Sequence, residues 1–288
     1  MSVRVFAPAK INLTLEVGRP RADGRHPLQS AVMFADVGDW IEAEADTDRN
    51  MLLYVRGPFG AALHDAPGNI VYDAIGVMQK ASAVERGGRI TLEKNLPIAS
   101  GIGGGSADAA ATLKALRDLW ALNLTDEDLA AISRDLGADV PVCVAARSAW
   151  MTGAGETVAP MRAPTLNAVL VNPLKPLSTA EVYRQFDRME LGDAFAPRSA
   201  PAWRNADEAI AAIKAIGNDL EAPARALMPE IGAAIDALAQ DPRALHVAMS
   251  GSGATVFGLC AAANEAQAMA NDVARRHPDW WVRRARLG

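Results

Sequence analysis

The chain of 288 residues has two cysteines, four histidines, no apolar run of 18 residues and no excess of positive charge. Each shortage closes off a class of function. Cys143 (in VPVCVAA) and Cys260 (in VFGLC) both stand in apolar surroundings, which suits buried free thiols better than a disulfide. Neither has a second cysteine or a histidine at metal-ligand spacing, and His26, His64, His246 and His277 are scattered, so a zinc site is not expected. Without a long apolar run, and with MSVRVFAPAK offering no signal-peptide core, the expected location is the cytoplasm. Lys and Arg total 29 against 34 Asp and Glu, a net charge of −5. That balance argues against nucleic acid as the main partner, since backbone phosphates require a basic face. Arg275, Arg276, Arg283, Arg284 and Arg286 form a small basic cluster that reads as a solvated edge. No internal repeat or low-complexity segment occurs.

Glycine, by contrast, is concentrated. Pro97 to Ala110 reads PIASGIGGGSADAA, a glycine-rich loop entering an alanine-rich helix. Gly101, Gly103, Gly104 and Gly105 lack a Cβ and let backbone N–H groups close around a bulky anion. Ser106 occupies the position expected of an N-cap, and the positive end of the following helix dipole points into the loop. A phosphate is the natural occupant. The commoner fate of glycine clusters, a flexible turn or a tight packing contact, fits less well because Leu96, Pro97 and Ile98 flank the run. No Lys-Ser or Lys-Thr pair follows the glycines and the spacing is not G-x-G-x-x-G, so neither of those two nucleotide-binding loops applies.

Ile11 to Val17 alternates apolar and polar, predicting a strand with Lys10 and Asn12 on one face. Leu28 to Phe34 predicts another strand, Gly68 to Met78 a loop entering a helix, and Arg89 to Glu93 a strand before the glycine loop. Thr125 to Asp128 carries a capping-box pattern ahead of a helix over 129–136, and Pro141 is expected to terminate helical structure. Beyond it come a strand over 168–171, helices over 207–216, 229–239 and 263–277, and a strand pair, 245–249 and 255–260, around Ser250-Gly-Ser-Gly253. The domain boundary is placed near residue 162, giving domains 1–162 and 163–288. Gly57 to Gly60 and Asp193 to Arg198 read as loops without a functional account.

Three separated segments, Pro8-Ala-Lys-Ile-Asn-Leu13, Pro97 to Ala110 and Ser250-Gly-Ser-Gly-Ala-Thr255, resemble in this order the signature motifs of the GHMP kinase superfamily, whose members phosphorylate small-molecule alcohols with ATP. Two more, Asp23-Gly-Arg-His-Pro-Leu-Gln29 and Gly137-Ala-Asp-Val-Pro141, resemble the branch that acts on 4-diphosphocytidyl-2-C-methyl-D-erythritol at its 2-hydroxyl, in the non-mevalonate route to isoprenoid precursors. The resemblance implies an α+β fold of two domains, the first like the second domain of ribosomal protein S5 and the second ferredoxin-like, with the substrates in the cleft between them. It implies small-molecule partners only, ATP and the cytidine-linked polyol, with no nucleic acid and no membrane.

By the same resemblance Lys10 and Asp139 match the catalytic pair. Asp139 would accept a hydrogen bond from the attacking hydroxyl and take its proton late, since a carboxylate of pKa ~3.9 is a weak base toward an alcohol. Lys10 would stabilise the transferring phosphoryl group. The plainer alternatives are a solvated strand lysine and a turn aspartate bonding its own backbone. Pro97, Ile98, Ala99, Ser100, Gly101, Ile102, Gly103, Gly104, Gly105, Ser106 and Ala107 match the ATP phosphate loop, and Lys94 and Asn69 match adenine-side positions. His26 matches the residue that reads the cytosine edge, Tyr183 an aromatic wall, Thr179 a position near the polyol phosphates, and Asn12 one near the methylerythritol. Arg25 departs from the pattern, standing where the family has an aromatic that stacks on the base; a guanidinium plane also stacks. Ser250 to Thr255 reads as either a ligand loop or a packing loop. Mg²⁺ is implied with ATP, and no carboxylate matches the metal-binding glutamate of other members.

The competing readings are a GHMP kinase for homoserine, mevalonate or a sugar, an ATP-using decarboxylase on the same fold, and an inactive nucleotide sensor. The first has no need of Asp23 to Gln29 or Tyr183, and a sensor needs neither Lys10 nor Asp139. An S5-like nucleic-acid module conflicts with the acidic balance.

Overall fold

A computed structural model describes residues 2–46, 50–63, 68–82, 86–193 and 196–288. His64 and residues 194 and 195 of the 193–198 loop lie outside the described residues. Along the chain run β1 (Ser2–Asn12), β2 (Glu16–Val17), β3 (Leu28–Ala45), β4 (Met51–Arg56), α1 (Ile70–Ser82) and β5 (Gly88–Glu93). Then come α2 (Gly104–Leu119), α3 (Asp126–Ile132), α4 (Val140–Ala145), β6 (Ala149–Thr152), β7 (Thr157–Pro160) and β8 (Leu166–Asn172). The remainder is α5 (Thr179–Arg188), α6 (Ala206–Ile216), α7 (Glu221–Leu227), α8 (Pro229–Ala239), β9 (His246–Met249), β10 (Val256–Cys260), α9 (Ala263–Arg276) and β11 (Trp281–Leu287). The fold is α+β.

The chain groups into two compact units that interleave in sequence. One comprises Met1–Ala9, Gly38–Ile98 and Gly103–Ala146; the other comprises Lys10–Val37, Ala99–Ile102 and Arg147–Gly288. No single cut near residue 162 separates them, because β1 and β3 each supply residues to both.

In the first unit the later half of β3 pairs antiparallel with β5, from Trp40 opposite Glu93 to Ala45 opposite Gly88. β4 pairs with β5 in parallel, from Met51 opposite Gly88 to Arg56 opposite Glu93. Helix α2 is rich in alanine, the best helix former, and is buried almost all round: Ala109, Leu113, Ala115 and Leu116 are fully covered. Small side chains let α1 and α4 pack closely on it. Thr125 caps α3 by the expected box, its hydroxyl accepting from the Asp128 N–H at 3.1 Å while Asp128 accepts from the Thr125 N–H at 2.8 Å. The helix stops at Ile132, shorter than expected. Pro141 does not end helical structure; it stands in the first turn of α4, where its missing N–H would have had no partner.

In the second unit β8 is central, antiparallel to β10 on one side and β11 on the other. Its sequence LNAVLVN is nearly all apolar, as befits a strand covered on both faces. β10 continues to β9, β11 reaches β3 through Leu287 opposite Ala35, and β3 pairs with β6 over Ser30 to Val32. Beneath this sheet a core that includes Val169, Val171, Phe186, Ile231, Val256 and Met269 is closed by α5, α7, α8 and α9. Cys143 and Cys260 are free and buried, and burial pushes the Cys260 thiol up to about 11.

Thr125→Ala removes the hydroxyl that accepts from the Asp128 N–H, leaving only the backbone half of the α3 cap, and is expected to cost about 1 kcal/mol. Equilibrium urea unfolding checks this, and an unchanged midpoint would mean that water replaces the cap without loss.

Candidate active site

Three sequence segments far apart in the chain meet in the second unit. The Ser250 side chain, fully buried, donates to the Gly101 carbonyl at 3.1 Å and accepts from the Asn12 N–H at 3.0 Å. The Thr255 N–H donates to the Ser100 carbonyl at 3.1 Å, and the Lys10 N–H to the Ile102 carbonyl at 2.9 Å. Residue 101 must be glycine here. Its φ is +72°, and a Cβ would lie 2.5 Å from the Gly253 carbonyl oxygen and 2.7 Å from that of Ser250. The Ser250–Thr255 turn therefore packs closely against the loop, as the packing reading expects.

The strand reading of Ile11 to Val17 needs correction: β1 ends at Asn12 and a break precedes β2. Both faces are covered, so the alternation does not divide core from solvent. Lys10 is 4% exposed, which excludes the solvated strand lysine. Asn12 Nδ2 donates to Ser30 Oγ at 2.8 Å, and Ser30 Oγ in turn to the Thr14 carbonyl at 2.5 Å. Asn218 Nδ2 holds the carbonyls of Met249 and Gly251 at 2.8 and 2.9 Å, fixing the turn from the other side. Thr179 Oγ1 lies 2.8 Å from Ser252 Oγ, which ties that predicted site residue to the same turn.

His26 is fixed by a 3.0 Å bond between Nδ1 and the Gly18 carbonyl. That bond requires the proton on Nδ1, so in the neutral ring Nε2 is the acceptor. Nε2 stands 3.5 Å from Asp187 Oδ1. The ring lies 5.0 Å from Tyr183 and 5.8 Å, edge-on, from Phe186. Sequence and structure agree in pairing His26 with Tyr183, while Phe186 and Asp187 went unnoticed; they follow one helical turn after Tyr183 on α5. Arg25 is exposed, its backbone held by Asp23 Oδ1 in a tight turn.

In the first unit α2 begins after Gly103 in the left-handed conformation (φ 63°, ψ 20°), with no side chain bonding the helix start. Ser106 is not the cap: it lies in the first turn, because the left-handed backbone that opens the helix falls at Gly103, which takes it without the cost of a Cβ. The first intrahelical bond is from the Ala107 N–H to the Gly103 carbonyl. The N–H groups of Gly104, Gly105 and Ser106 thus have no partner within the helix and retain their affinity for an anion.

Lys94 is 3% exposed and its Nζ sits 2.6 Å from Asp39 Oδ2 and 2.5 Å from Asp108 Oδ2. Burial alone would lower the ammonium, but the two carboxylates outweigh it and raise its pKa. Neither aspartate was anticipated; Asp108 sits in an alanine run where one polar residue reads as a solvent face. Asn69 Oδ1 accepts from the Val71 N–H at 3.1 Å at the start of α1, while its Nδ2 is buried without a hydrogen-bond partner among the described residues. Asp139 is the N-cap residue of α4 and is half-buried. Among the described residues no trio of His, Cys, Asp or Glu is grouped to hold a metal ion, and no helix is long and apolar enough to cross a membrane.

Ser250→Ala leaves the buried Asn12 N–H and Gly101 carbonyl without this partner and should destabilise the protein by about 1–3 kcal/mol. Denaturant unfolding measures the loss, and Ser250→Thr, which retains the hydroxyl, separates the bond from the space the side chain fills.

Residues 69–147 match the GHMP kinases N terminal domain, and residues 200–279 match GHMP kinases C terminal. The chain is 46% identical over 296 residues to the 4-diphosphocytidyl-2-C-methyl-D-erythritol kinase of Caulobacter vibrioides, covering 100% of both. It is 48% identical over 278 residues to that of Parvibaculum lavamentivorans, covering 96% of this chain and 95% of the relative. A crystal structure of 4-(cytidine 5'-diphospho)-2C-methyl-D-erythritol kinase superposes with a TM-score of 0.78 at 33% identity over 99% of each chain. Homoserine kinase from Cytophaga hutchinsonii, at 17% identity and a TM-score of 0.70, shares the fold over 100% of this chain and 94% of its own. With full-length identity at this level and its three motif segments bonded around one turn, the chain belongs to the 4-diphosphocytidyl-2-C-methyl-D-erythritol kinases of the GHMP kinase family.

Proposed function

We propose that this chain transfers the γ-phosphoryl group of ATP to the 2-hydroxyl of 4-diphosphocytidyl-2-C-methyl-D-erythritol in the cytoplasm, with Lys10 and Asp139 as the catalytic pair. The observation that carries the proposal is the joining of the phosphate loop to the Lys10–Asn12 strand through Ser250. It gives the loop a fixed shape before any ligand arrives. Buried free thiols suit the reducing compartment.

The 2-hydroxyl oxygen bonds to the γ-phosphorus as the bond to the β,γ-bridging oxygen breaks, and ADP departs with that electron pair. The hydroxyl proton passes to Asp139 as the new bond forms. The transition state is loose, so positioning and charge stabilisation dominate the rate. Lys10 meets the transferring group, and the uncapped amides of Gly104, Gly105 and Ser106 meet the phosphates. Pro97 to Ala107 form the loop around the triphosphate. The adenine side is given to Asn69, whose buried Nδ2 is one donor short of a partner, and to Lys94. Mg²⁺ bound with ATP would neutralise phosphate charge, and with no trio of His, Cys, Asp or Glu grouped for a metal among the described residues it would be carried mainly by phosphate oxygens and water.

On the acceptor, His26 reads the cytosine edge, Tyr183 supplies an aromatic wall, Thr179 serves the polyol phosphates, and Asn12 serves the methylerythritol. The anchored Nδ1 of His26 supports this, because it fixes which ring nitrogen is presented. Arg25 stands in for the family's aromatic by stacking its guanidinium plane.

ATP turnover with Mg²⁺ is compared on the cytidine compound, homoserine, mevalonate and galactose. Activity is expected on the first alone; turnover of another alcohol would discard the cytosine pocket. Asp139→Asn should lower kcat by about 10²–10⁴ with ATP binding retained, and near-normal turnover would remove Asp139 from the mechanism. His26→Ala should weaken the cytidine substrate more than ATP; equal weakening of both would overturn its base-reading role.

A further inference from the structure

We infer that Asp39 and Asp108 are positioning residues for ATP, clamping Lys94 and the turn leading into the phosphate loop onto the start of α2 in a buried triad that binds nucleotide tightly only while Asp108 is uncharged. The inference rests on the proposed ATP site and adds its pH control.

The geometry is a closed clamp within the first unit. Asp39, fully buried, accepts from the Asn95 and Leu96 N–H groups at 2.5 and 2.8 Å and from Lys94 Nζ at 2.6 Å. One carboxylate thereby fixes three successive residues immediately ahead of Pro97. The Lys94 backbone is held from the other side as well, its N–H donating to the Arg56 carbonyl at 2.8 Å and its carbonyl accepting from the Phe59 N–H at 3.2 Å. This gives the 57–60 turn a role. Asp108 binds the same ammonium from α2 at 2.5 Å. Gly104 completes the fit, since a Cβ there would stand 3.2 Å from Lys94 Nζ.

The charges do not balance. One ammonium faces two carboxylates, all nearly inaccessible to water, and an uncompensated charge in that setting is costly. Asp108 Oδ1 is buried with no hydrogen-bond partner among the described residues, a poor environment for an anion. Burial pushes the Asp108 carboxyl up, Lys94 pulls it down and Asp39 pushes it up again, leaving it at about 8. Those are the charged groups that act on it. The charged residues of the adjoining helices, Asp73 and Lys80 on α1 and Asp126, Glu127 and Asp128 on α3, are exposed, and α4 carries none. While Asp108 holds its proton the ammonium faces one opposing charge; once Asp108 ionises, a buried negative charge stands behind the amides that face the triphosphate and opposes it. An acid with a raised native pKa loses stabilisation as pH climbs through that value, and ATP, preferring the protonated form, pulls a proton onto the protein.

The test is titration calorimetry of Mg-ATP without acceptor from pH 6.5 to 9.5, on wild type and Asp108→Asn, a neutral isostere of the protonated acid. Wild-type Kd should rise roughly tenfold per pH unit once above about pH 8, the limit for a single required proton. Asp108→Asn should bind as wild type does at pH 7 and stay flat to pH 9.5. A second measurement uses wild type alone: at pH 8.5, binding in buffers of different ionisation enthalpy should report uptake of part of one proton per ATP. Matching pH profiles for the two proteins, or no proton uptake, would overturn the inference. Wild type that binds ATP with this profile yet phosphorylates no cytidine substrate would overturn the proposed function and leave the clamp standing.

Discussion

Everything at the phosphate loop depends on one close approach, that of the Gly101 backbone to the Ser250–Gly253 turn. Backbone meets backbone there at a separation that excludes even a methyl group. The loop cannot be a flexible glycine tether under that constraint, because its carbonyls at Ser100, Gly101 and Ile102 are all engaged within the second unit. Glycine serves two opposite purposes within five residues. At 101 it permits tight docking and so removes freedom; at 103 it opens a helix in a left-handed conformation without contributing a side chain to it.

The second purpose explains why the helix start is suited to an anion. A serine or aspartate at the cap would satisfy the first amides itself, stabilising the helix by about 1 kcal/mol and competing with a ligand for the same donors. The chain forgoes that stabilisation at α2 while taking it at α3, where Thr125 caps the first turn. Preorganisation of the open amides then falls to packing: α1 and α4 hold the helix, and the Lys94 clamp holds the approach to the loop.

Local chemistry was legible in the sequence wherever neighbours in the chain decide the outcome. The α3 capping box, the span of α8 from its leading Pro229, and the β9–β10 pair around Ser250 to Gly253 all follow from residues a few positions apart. Local rules mislead where two of them compete: Ser106 is a good cap, but the left-handed opening falls at Gly103, which takes it without strain, and Pro141 stops a helix or starts one depending on which turn it occupies. Hidden altogether were partners fixed by tertiary structure. Asp39 lies 55 residues from Lys94, and nothing in its surroundings marks a carboxylate destined for full burial. Lys10 is set apart from solvated lysines by its motif and by sharing a face with Asn12, while the alternation around it does not reveal that both faces are buried.

The bond from Ser250 to Gly101 spans 149 positions in sequence. A chain leaving the ribosome from its N-terminus therefore holds both the glycine segment and the Lys10–Asn12 strand long before the turn that joins them exists. Contacts of such separation close late, after the loop-closure entropy between them has been overcome. The nascent chain carries a phosphate loop without its defining shape until residues 250–255 have emerged. Completion of the nucleotide site is thereby deferred until that turn has been translated, and a product truncated before it lacks the bonds that shape the loop.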